Sequence, residues 1–191
     1  MIGGLRYLVH TRPDIAFAVG IISRFMEHPT VMHMNAAKRV LRYIKGTLDY
    51  GLVYSRENSN NVLTGYSDSD LAGNIEDRKS TGGVAFYLND SLITWMSQKQ
   101  KCVLSSCEAE FMAATAAASI DLAKNPMFHG RSKHIDIRYH FIRECVDRGE
   151  IVVKHVATEN QKADIQTKAL TTVKFERMRK LLGVKELTQQ A

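Results

Sequence analysis

The fold is decided by the stretch Val84-Ala85-Phe86-Tyr87-Leu88-Asn89-Asp90-Ser91-Leu92-Ile93-Thr94-Trp95-Met96. It contains two runs of β-branched, aromatic and other apolar residues, at positions 84–88 and 92–96, and such runs favour β-strands. Between them, Asn89-Asp90 is typical of a tight hairpin connection. Residues 62–67 form a third run of the same kind. The pattern therefore predicts three neighbouring strands in an antiparallel meander.

Helical patterns precede these strands. Thr11-Arg12-Pro13-Asp14 predicts a helix start, because proline suits the first helical position and an acid there meets the positive end of the helix dipole. We expect this helix to end before His28-Pro29. A second helix is predicted over residues 35–45, where an apolar stripe with helical spacing ends at Gly46, which suits a C-terminal cap. The stripe consists of Ala37, Val40, Leu41 and Ile44.

Further helices and one strand are predicted after the hairpin. Ser105-Ser106-Cys107-Glu108 and Thr158-Glu159-Asn160-Gln161 each match a capping box, so we expect helices over residues 105–118 and from the second box to about residue 170. Residues 132–146, closed by Gly149, and residues 173–182 have helical spacing, and residues 151–156 predict a strand. This order of elements predicts a mixed α+β or α/β layer structure.

Composition restricts the partners. The 191 residues carry a net charge of +6, which favours a polyanionic partner, although a surplus of surface charge for solubility is the plainer alternative. The three cysteines include no Cys-x-x-Cys pair, so a reducing compartment fits best. We find no targeting segment and no apolar stretch long enough to cross a bilayer. A cytoplasmic or nuclear protein that does not bind membranes is expected.

Three carboxylates stand where a side chain can project into a cleft. Asp68 follows a predicted strand, and Glu110 and Asp164 lie in first turns of predicted helices. If folding brings them together, a hard cation would have to neutralise them, and oxygen-only ligands select Mg²⁺ or Mn²⁺. The alternative is structural: aspartate at a strand end is often a turn residue, and acids in a first turn are favoured by the helix dipole.

Basic residues form two candidate nucleic-acid surfaces. One is the helix stripe Lys38, Arg42 and Lys45, and the other comprises Arg131, Lys133 and Arg138. A solvated helix face explains either set equally well. The histidines near the second set, His129, His134 and His140, match no structural zinc spacing.

Several long motifs resemble the Pol polyproteins of copia-type (Ty1/copia) LTR retrotransposons. The sequences TRPDIAFAV (11–19) and AKRVLRYIKGT (37–47) are similar to the end of that family's reverse transcriptase. Its ribonuclease H is resembled by GYSDSDLAG (65–73), DRKSTGG (77–83), LSSCEAE (104–110), HGRSKHIDIR (129–138) and QKADIQTKAL (161–170). The motifs occur in the family's order and extend over nearly the whole chain.

The resemblance implies a division of the chain and a set of site residues. Residues 1–56 would be a helical remnant of the reverse transcriptase, residues 57–170 a ribonuclease H-like domain of three layers, and residues 171–191 a C-terminal helix and tail. Asp68, Glu110 and Asp164 would hold two Mg²⁺ or Mn²⁺ ions that hydrolyse the RNA strand of an RNA–DNA hybrid. Glu110 is preferred to Glu108, which suits the cap, and Asp70 is an outside candidate.

One part of the family's pattern is absent. The family carries an Asp-Asn dipeptide at the end of a central fourth strand, upstream of a segment like Leu122-Ala123-Lys124-Asn125-Pro126, but here residues 116–121 run directly from one helix into the next. We therefore expect an internal deletion near residues 118–121, with loss of the third catalytic carboxylate. Either residues 151–156 pair with the first strand instead, or the domain folds poorly, because two strand edges would stay unpaired.

Three functions remain open on this basis. The first is a ribonuclease H-like protein with impaired or lost hydrolysis of RNA–DNA hybrids. The second is a module that binds nucleic acid without cutting it, and the third is a transposon remnant with no activity. In the ancestral context the remainder of the polyprotein would be a partner.

Overall fold

A computed structural model describes residues 1–54, 62–70, 79–100, 144, 146–149 and 152–187. The chain begins with three helices, α1 (Ile2–Leu8), α2 (Ala16–Ser23) and α3 (Val31–Lys45), with a 3-10 turn at Pro13–Ile15 before α2. The proline does stand at the start of that turn, as predicted. Helix α3 starts earlier than predicted because Thr30 and His33 form a capping box, in which each side chain accepts from the other's backbone N–H.

Three of the strands form the predicted meander. Strand β1 (Tyr50–Leu52) precedes them, and β2 (Leu63–Ser69), β3 (Thr81–Leu88) and β4 (Ser91–Lys99) pair antiparallel in the order β2-β3-β4. Asn89 adopts the left-handed φ of 54° that a tight turn requires, and its Oδ1 accepts from the backbone N–H of Val62. Residues 81–87 of β3 are all buried, because this strand lies between the other two and against the later chain.

The C-terminal part returns to the N-terminal part. A 3-10 turn at Asp164–Gln166 is followed by helix α4 (Thr172–Leu181) and strand β5 (Val184–Glu186). Strand β5 pairs antiparallel with β1, with Gly51 opposite Lys185. Helix α4 was predicted, whereas neither β1 nor β5 was.

Two apolar clusters form the described core. One joins the sheet to the C-terminal elements through Ala85, Tyr87, Leu92, Ile165, Met178, Leu182 and Val184. The other joins the first three helices through Leu5, Ile15, Val19, Ile22, Ala37 and Val40. Hydrogen bonds link the two, since Trp95 Nε1 donates to Val9 O (3.0 Å) and Gln166 Nε2 donates to Pro13 O (3.0 Å). The predicted α+β class is confirmed, and the ribonuclease H-like three-layer arrangement stays a prediction.

The strand predicted at residues 151–156 is wrong over its described part. Residues 152–156 have no strand structure, and Val152 and Val153 are 74% and 71% exposed. β-Branched residues favour a strand only where a neighbouring strand supplies hydrogen bonds and packing. Among the described residues, β2 has β3 as its one strand neighbour, so this segment has not moved beside it.

The helix predicted to end near residue 170 is also wrong, because it is limited to the 3-10 turn at Asp164–Gln166. Gln161, expected in the capping box, instead donates from Nε2 to Ser67 O (3.0 Å). The Thr167 hydroxyl bonds to Asp68 on β2 (2.6 Å), which anchors the chain to the sheet where a helix would have continued. The turn is therefore fixed by the sheet.

Several predictions lie outside the described residues. They are the polar boundary at residues 56–61, the helix at 105–118, the deletion near 118–121 and most of the helix at 132–146. Gly149 has the positive φ (73°) expected of a helix-closing glycine. None of the helices in the described ranges is both long and apolar enough to span a bilayer.

Candidate functional site

Asp68 and Asp164 are brought together by a glycine. Asp68 lies on β2 opposite Gly83 of β3. A Cβ atom at Gly83 would stand 2.6 Å from Thr167 Cγ2, 2.7 Å from Gln166 Cβ and 3.0 Å from Ala163 O, so only glycine admits this turn so close to the strand. The turn that carries Asp164 consequently packs against the sheet beside Asp68.

Two lysines bind this carboxylate pair. Lys168 Nζ lies 2.8 Å from Asp164 Oδ1 and 3.4 Å from Asp68 Oδ2, and Lys174 Nζ contacts Asp164 Oδ2. The Asp164 side chain is 1% exposed, and an ammonium occupies each of its oxygens. We call Asp68, Asp164, Lys168 and Lys174 the lysine cluster.

The charges in the lysine cluster reinforce one another. Burial alone would raise the pKa of Asp164, but hydrogen bonds from Lys168 and Lys174 outweigh burial and hold that pKa below its ordinary value. For Lys168, burial would lower the pKa, whereas the hydrogen bond to Asp164 and the charge of Asp68 raise it above its ordinary value. Asp164 and Lys168 therefore form an ion pair at neutral pH.

Asp70, the outside candidate, has a structural contact. Its Oδ1 accepts from the backbone N–H of Thr81, and its own N–H donates to Thr81 O (3.1 Å), so it fastens the end of β2 to the start of β3. Burial is the main cause that raises the pKa of Asp70 above its ordinary value.

The contacts of the lysine cluster bear on the predicted Mg²⁺ or Mn²⁺ site. A divalent ion needs carboxylate oxygens directed at it and a local excess of negative charge. In the lysine cluster two ammonium groups balance two carboxylates, and both Asp164 oxygens are bound. The described parts of the chain contain no group of three or more His, Cys, Asp or Glu side chains placed to hold a metal ion. The described residues do not fit the ion in this arrangement, and Glu110 lies outside them.

The first basic stripe is exposed as its sequence predicted. Lys38, Arg42 and Lys45 all lie on the outer surface of α3, together with Arg39, and α3 contains no acidic residue. Helix α3 therefore presents four cations without a counter-charge of its own. Arg131, Lys133, Arg138 and the three nearby histidines lie outside the described residues.

A second carboxylate cluster stands among the N-terminal helices. Arg12 donates from Nε and Nη2 to the Asp14 carboxylate (3.0 and 2.8 Å), and Tyr43 OH donates to Asp14 Oδ2 (2.6 Å). Arg12 also donates to Thr47 O (3.0 Å) and Thr47 Oγ1 (2.9 Å). We call Arg12, Asp14, Tyr43 and Thr47 the arginine cluster. Asp14 lies in the first turn, as predicted, but its carboxylate is bound by side chains rather than left to the helix dipole alone.

Sequence reasoning missed the residues that bind the predicted carboxylates. Lys168 follows Asp164 by four positions, a spacing at which oppositely charged side chains meet on one turn, so a signal was present. Lys174 has no such signal, because it reaches Asp164 only after the chain reverses into α4.

A cavity of about 390 Å³ lies elsewhere, between the helices and β1. Leu8, Arg12, Ile44, Tyr50 and Tyr54 line it, with none of the predicted site residues in its wall. This cavity therefore does not coincide with the carboxylate pair Asp68 and Asp164.

Known proteins resemble this chain over most of its length. The retrovirus-related Pol polyprotein from transposon TNT 1-94 of Nicotiana tabacum is 41% identical over 213 aligned positions, which cover 96% of this chain and 16% of that protein. The corresponding polyprotein from transposon RE2 of Arabidopsis thaliana is 39% identical, over 96% of this chain and 15% of that protein. Secreted RxLR effector protein 161 of Plasmopara viticola is 48% identical, over 61% of this chain and 82% of that protein. No family model and no solved structure matches.

The chain differs in length from the relatives that it matches. The chain spans about a sixth of the transposon polyproteins that it matches. The aligned stretch of 213 positions is nevertheless longer than the whole chain of 191 residues, so the relatives contain positions within the match that have no counterpart here.

Proposed function

The chain belongs to the copia-type family of retrovirus-related transposon Pol polyproteins, and we propose that it is a ribonuclease H-like module that has lost hydrolysis of RNA–DNA hybrids. One observation carries the proposal: an ammonium group binds each oxygen of Asp164. Two-metal hydrolysis needs carboxylates that face the ions, and these carboxylates face lysines.

The missing sequence supports the same proposal. The family resemblance implies a third carboxylate at the end of a strand upstream of Leu122, but between Ala118 and Leu122 this chain has three residues, Ser119, Ile120 and Asp121, which are too few for that strand. The alignment with the relatives includes positions that have no counterpart in this chain, as a deletion would produce. With Glu110 as the one further predicted ligand, three of four carboxylates would remain, and two of those are paired with lysines.

A cleavage assay tests this function. The purified chain is incubated with a labelled RNA–DNA hybrid in the presence of Mg²⁺ or Mn²⁺, beside an Asp68→Asn variant prepared in the same way. We expect no metal-dependent product above the level of the variant. Cleavage that needs either metal and disappears in Asp68→Asn would show that hydrolysis is retained.

A second candidate function, binding of nucleic acid without cleavage, is favoured by the surface of α3. Lys38, Arg42 and Lys45 are exposed there with no acidic residue in the helix. Phosphate contacts require positive charge at the surface and no exact spacing, so such a face suits a hybrid or another duplex. The cytoplasm or nucleus would supply these partners, and a membrane is not needed.

Salt-dependent binding to a hybrid tests the second function. A plot of log affinity against log salt concentration has a negative slope. Replacing Lys38, Arg42 and Lys45 with alanine should make that slope shallower, by about 1 for each lost phosphate contact. The matched control replaces Lys154, Lys180 and Lys185 with alanine. These lysines are also exposed, and their replacement removes the same total charge. Equal weakening in both triple variants would indicate diffuse attraction and reject α3 as the binding face.

A further inference from the structure

We infer that this chain associates with a second copy of itself by strand exchange, in which residues 152–156 of each copy add to the outer edge of β2 in the other. The contact joins two features of the described fold, an open strand edge and an exposed segment of strand-favouring residues. It uses neither the lysine cluster nor α3, so it holds or fails independently of the proposed function.

Alternate residues of β2 face away from β3. At the two ends of the β2–β3 ladder, Asn89 N donates to Val62 O (2.8 Å) and Asp70 N donates to Thr81 O (3.1 Å). Backbone groups in an antiparallel pair alternate between the partner strand and the opposite side, so the even-numbered residues from 62 to 70 bond to β3. The odd-numbered residues from 63 to 69 therefore direct their N–H and C=O groups to the outer edge.

This outer edge is open at the start of β2. Gln161 Nε2 donates to Ser67 O (3.0 Å), which covers one part of the edge. Leu63 and Gly65 have no backbone partner on this side within the described ranges, and the exposed Gly65 has no side chain to shield the edge. An unpaired edge of this kind is a template for a strand from another chain.

Residues 152–156 have the complementary property. Val152 and Val153 are 74% and 71% exposed, and β-branched residues favour a strand where a neighbouring strand supplies hydrogen bonds and packing. A turn follows this segment, closed by Asn160 N, which donates to Ala157 O (2.8 Å). In its own chain the segment does not pair with β2.

A second copy is the partner because one chain carries both elements. In a twofold arrangement β2 of each copy receives residues 152–156 of the other, so two identical contacts form and the assembly closes. The charges match, since the segment carries Lys154 and no acid, whereas β2 carries Asp68 and no cation. Direct pairing of two β2 edges would leave both valine segments in water, so exchange buries more apolar surface.

Sedimentation velocity over a range of concentrations measures the association of the full chain. We expect the unaltered chain to form a dimer. Val152→Lys/Val153→Lys should weaken it by about tenfold or more, because burial of one valine contributes a factor of that order. The matched control is Val31→Lys/Val173→Lys, which replaces two helix valines of 77% and 81% exposure and adds the same charge, and it should dimerise like the unaltered chain.

A Leu63→Pro variant tests the edge itself. Leu63 is the first residue of β2 and its N–H points outward, so proline removes an edge donor without the loss of a bond to β3. This variant should also dimerise more weakly than the unaltered chain. A mixture of Leu63→Pro with Val152→Lys/Val153→Lys should associate more strongly than either variant alone, because one of the two contacts is intact in the mixed dimer.

Four results would overturn the inference. They are a monomer at every concentration, equal weakening in the control variant, a dimer that Leu63→Pro leaves unchanged, and a mixture that associates no better than its components. If Leu63→Pro shows no cooperative unfolding, amide hydrogen exchange in the unaltered chain replaces it. The Leu63 and Gly65 amides should exchange more slowly as the dimer forms, whereas the Thr64 amide, which faces β3, should be slow throughout. Unchanged exchange at Leu63 and Gly65 would reject β2 as the docking edge.

Discussion

The arginine cluster and the lysine cluster solve the same problem, a buried carboxylate, in different ways. In the arginine cluster the guanidinium of Arg12 binds both oxygens of Asp14, and both side chains are almost fully buried. In the lysine cluster the carboxylate of Asp164 is equally buried, but Lys168 and Lys174 are 39% and 29% exposed. In the arginine cluster both the carboxylate and its cation are buried. In the lysine cluster the cations are partly exposed and can move toward solvent.

This difference distinguishes a cluster that stabilises the fold from a cluster whose cations can be exchanged. A guanidinium is a planar fork that fits a carboxylate with two parallel bonds, whereas an ammonium is a point charge on a flexible stem. The arginine cluster also joins distant parts of the chain, because Arg179 of α4 donates to Tyr43 OH (3.2 Å). We therefore expect the arginine cluster to determine stability and the lysine cluster to determine what the carboxylate pair can bind.

Breaking the arginine cluster should have the largest effect. Asp14→Ala would leave the buried Arg12 guanidinium without its counter-charge, and removal of one partner of a buried pair costs about 3–5 kcal/mol of unfolding free energy. Urea unfolding followed by circular dichroism measures the loss. The double variant Arg12→Met/Asp14→Leu, which buries no charge, should be more stable than Asp14→Ala. A loss below about 1 kcal/mol in Asp14→Ala would show that Arg12 can reach water.

The two clusters also differ in how far the sequence could predict them. Asp68 and Asp164 were predicted from their places beside a strand and in a first turn, and their proximity in the structure arises from Gly83, which lies far from both in sequence. Local signals were reliable for the Asn89 turn and for Ala37 and Val40 of the apolar stripe of α3, whereas Leu41 of that stripe is exposed. Strands β1 and β5 have three residues each and pair although most of the chain separates them in sequence, so no local pattern predicts them. Residues 152–156 show the opposite failure: the apolar run predicts a strand, but among the described residues no strand pairs with it.

The packing that assembles the lysine cluster can be altered without touching a charge. Gly83→Ala would place a Cβ within 3.0 Å of Gln166 Cβ and Ala163 O, and overpacking of this kind costs about 1–3 kcal/mol. The matched control is Gly20→Ala in α2, whose nearest neighbours would be 3.9 Å away; it should stabilise by up to about 1 kcal/mol because alanine favours helix. Urea unfolding of the two variants should thus give opposite signs. A neutral Gly83→Ala would mean that the turn at Asp164–Gln166 is free to move off β3.

The smallest expected effect is the acid dependence of the lysine cluster. Lys168 and Lys174 hold the pKa of Asp164 below its ordinary value, so Asp164 contributes stability that is fully present above the unfolded pKa of about 3.9 and is lost as the pH falls through the folded-state pKa. Asp164→Asn should therefore flatten the decline of Tm below about pH 4. Asp70 is the control of opposite sign, because burial raises its pKa and its ionisation opposes folding as the pH rises through about 4. Thermal unfolding between about pH 3 and about pH 6 should show that Asp70→Asn steepens the acid decline that Asp164→Asn flattens. Parallel Tm curves for the two variants would show that the lysines do not hold Asp164 ionised.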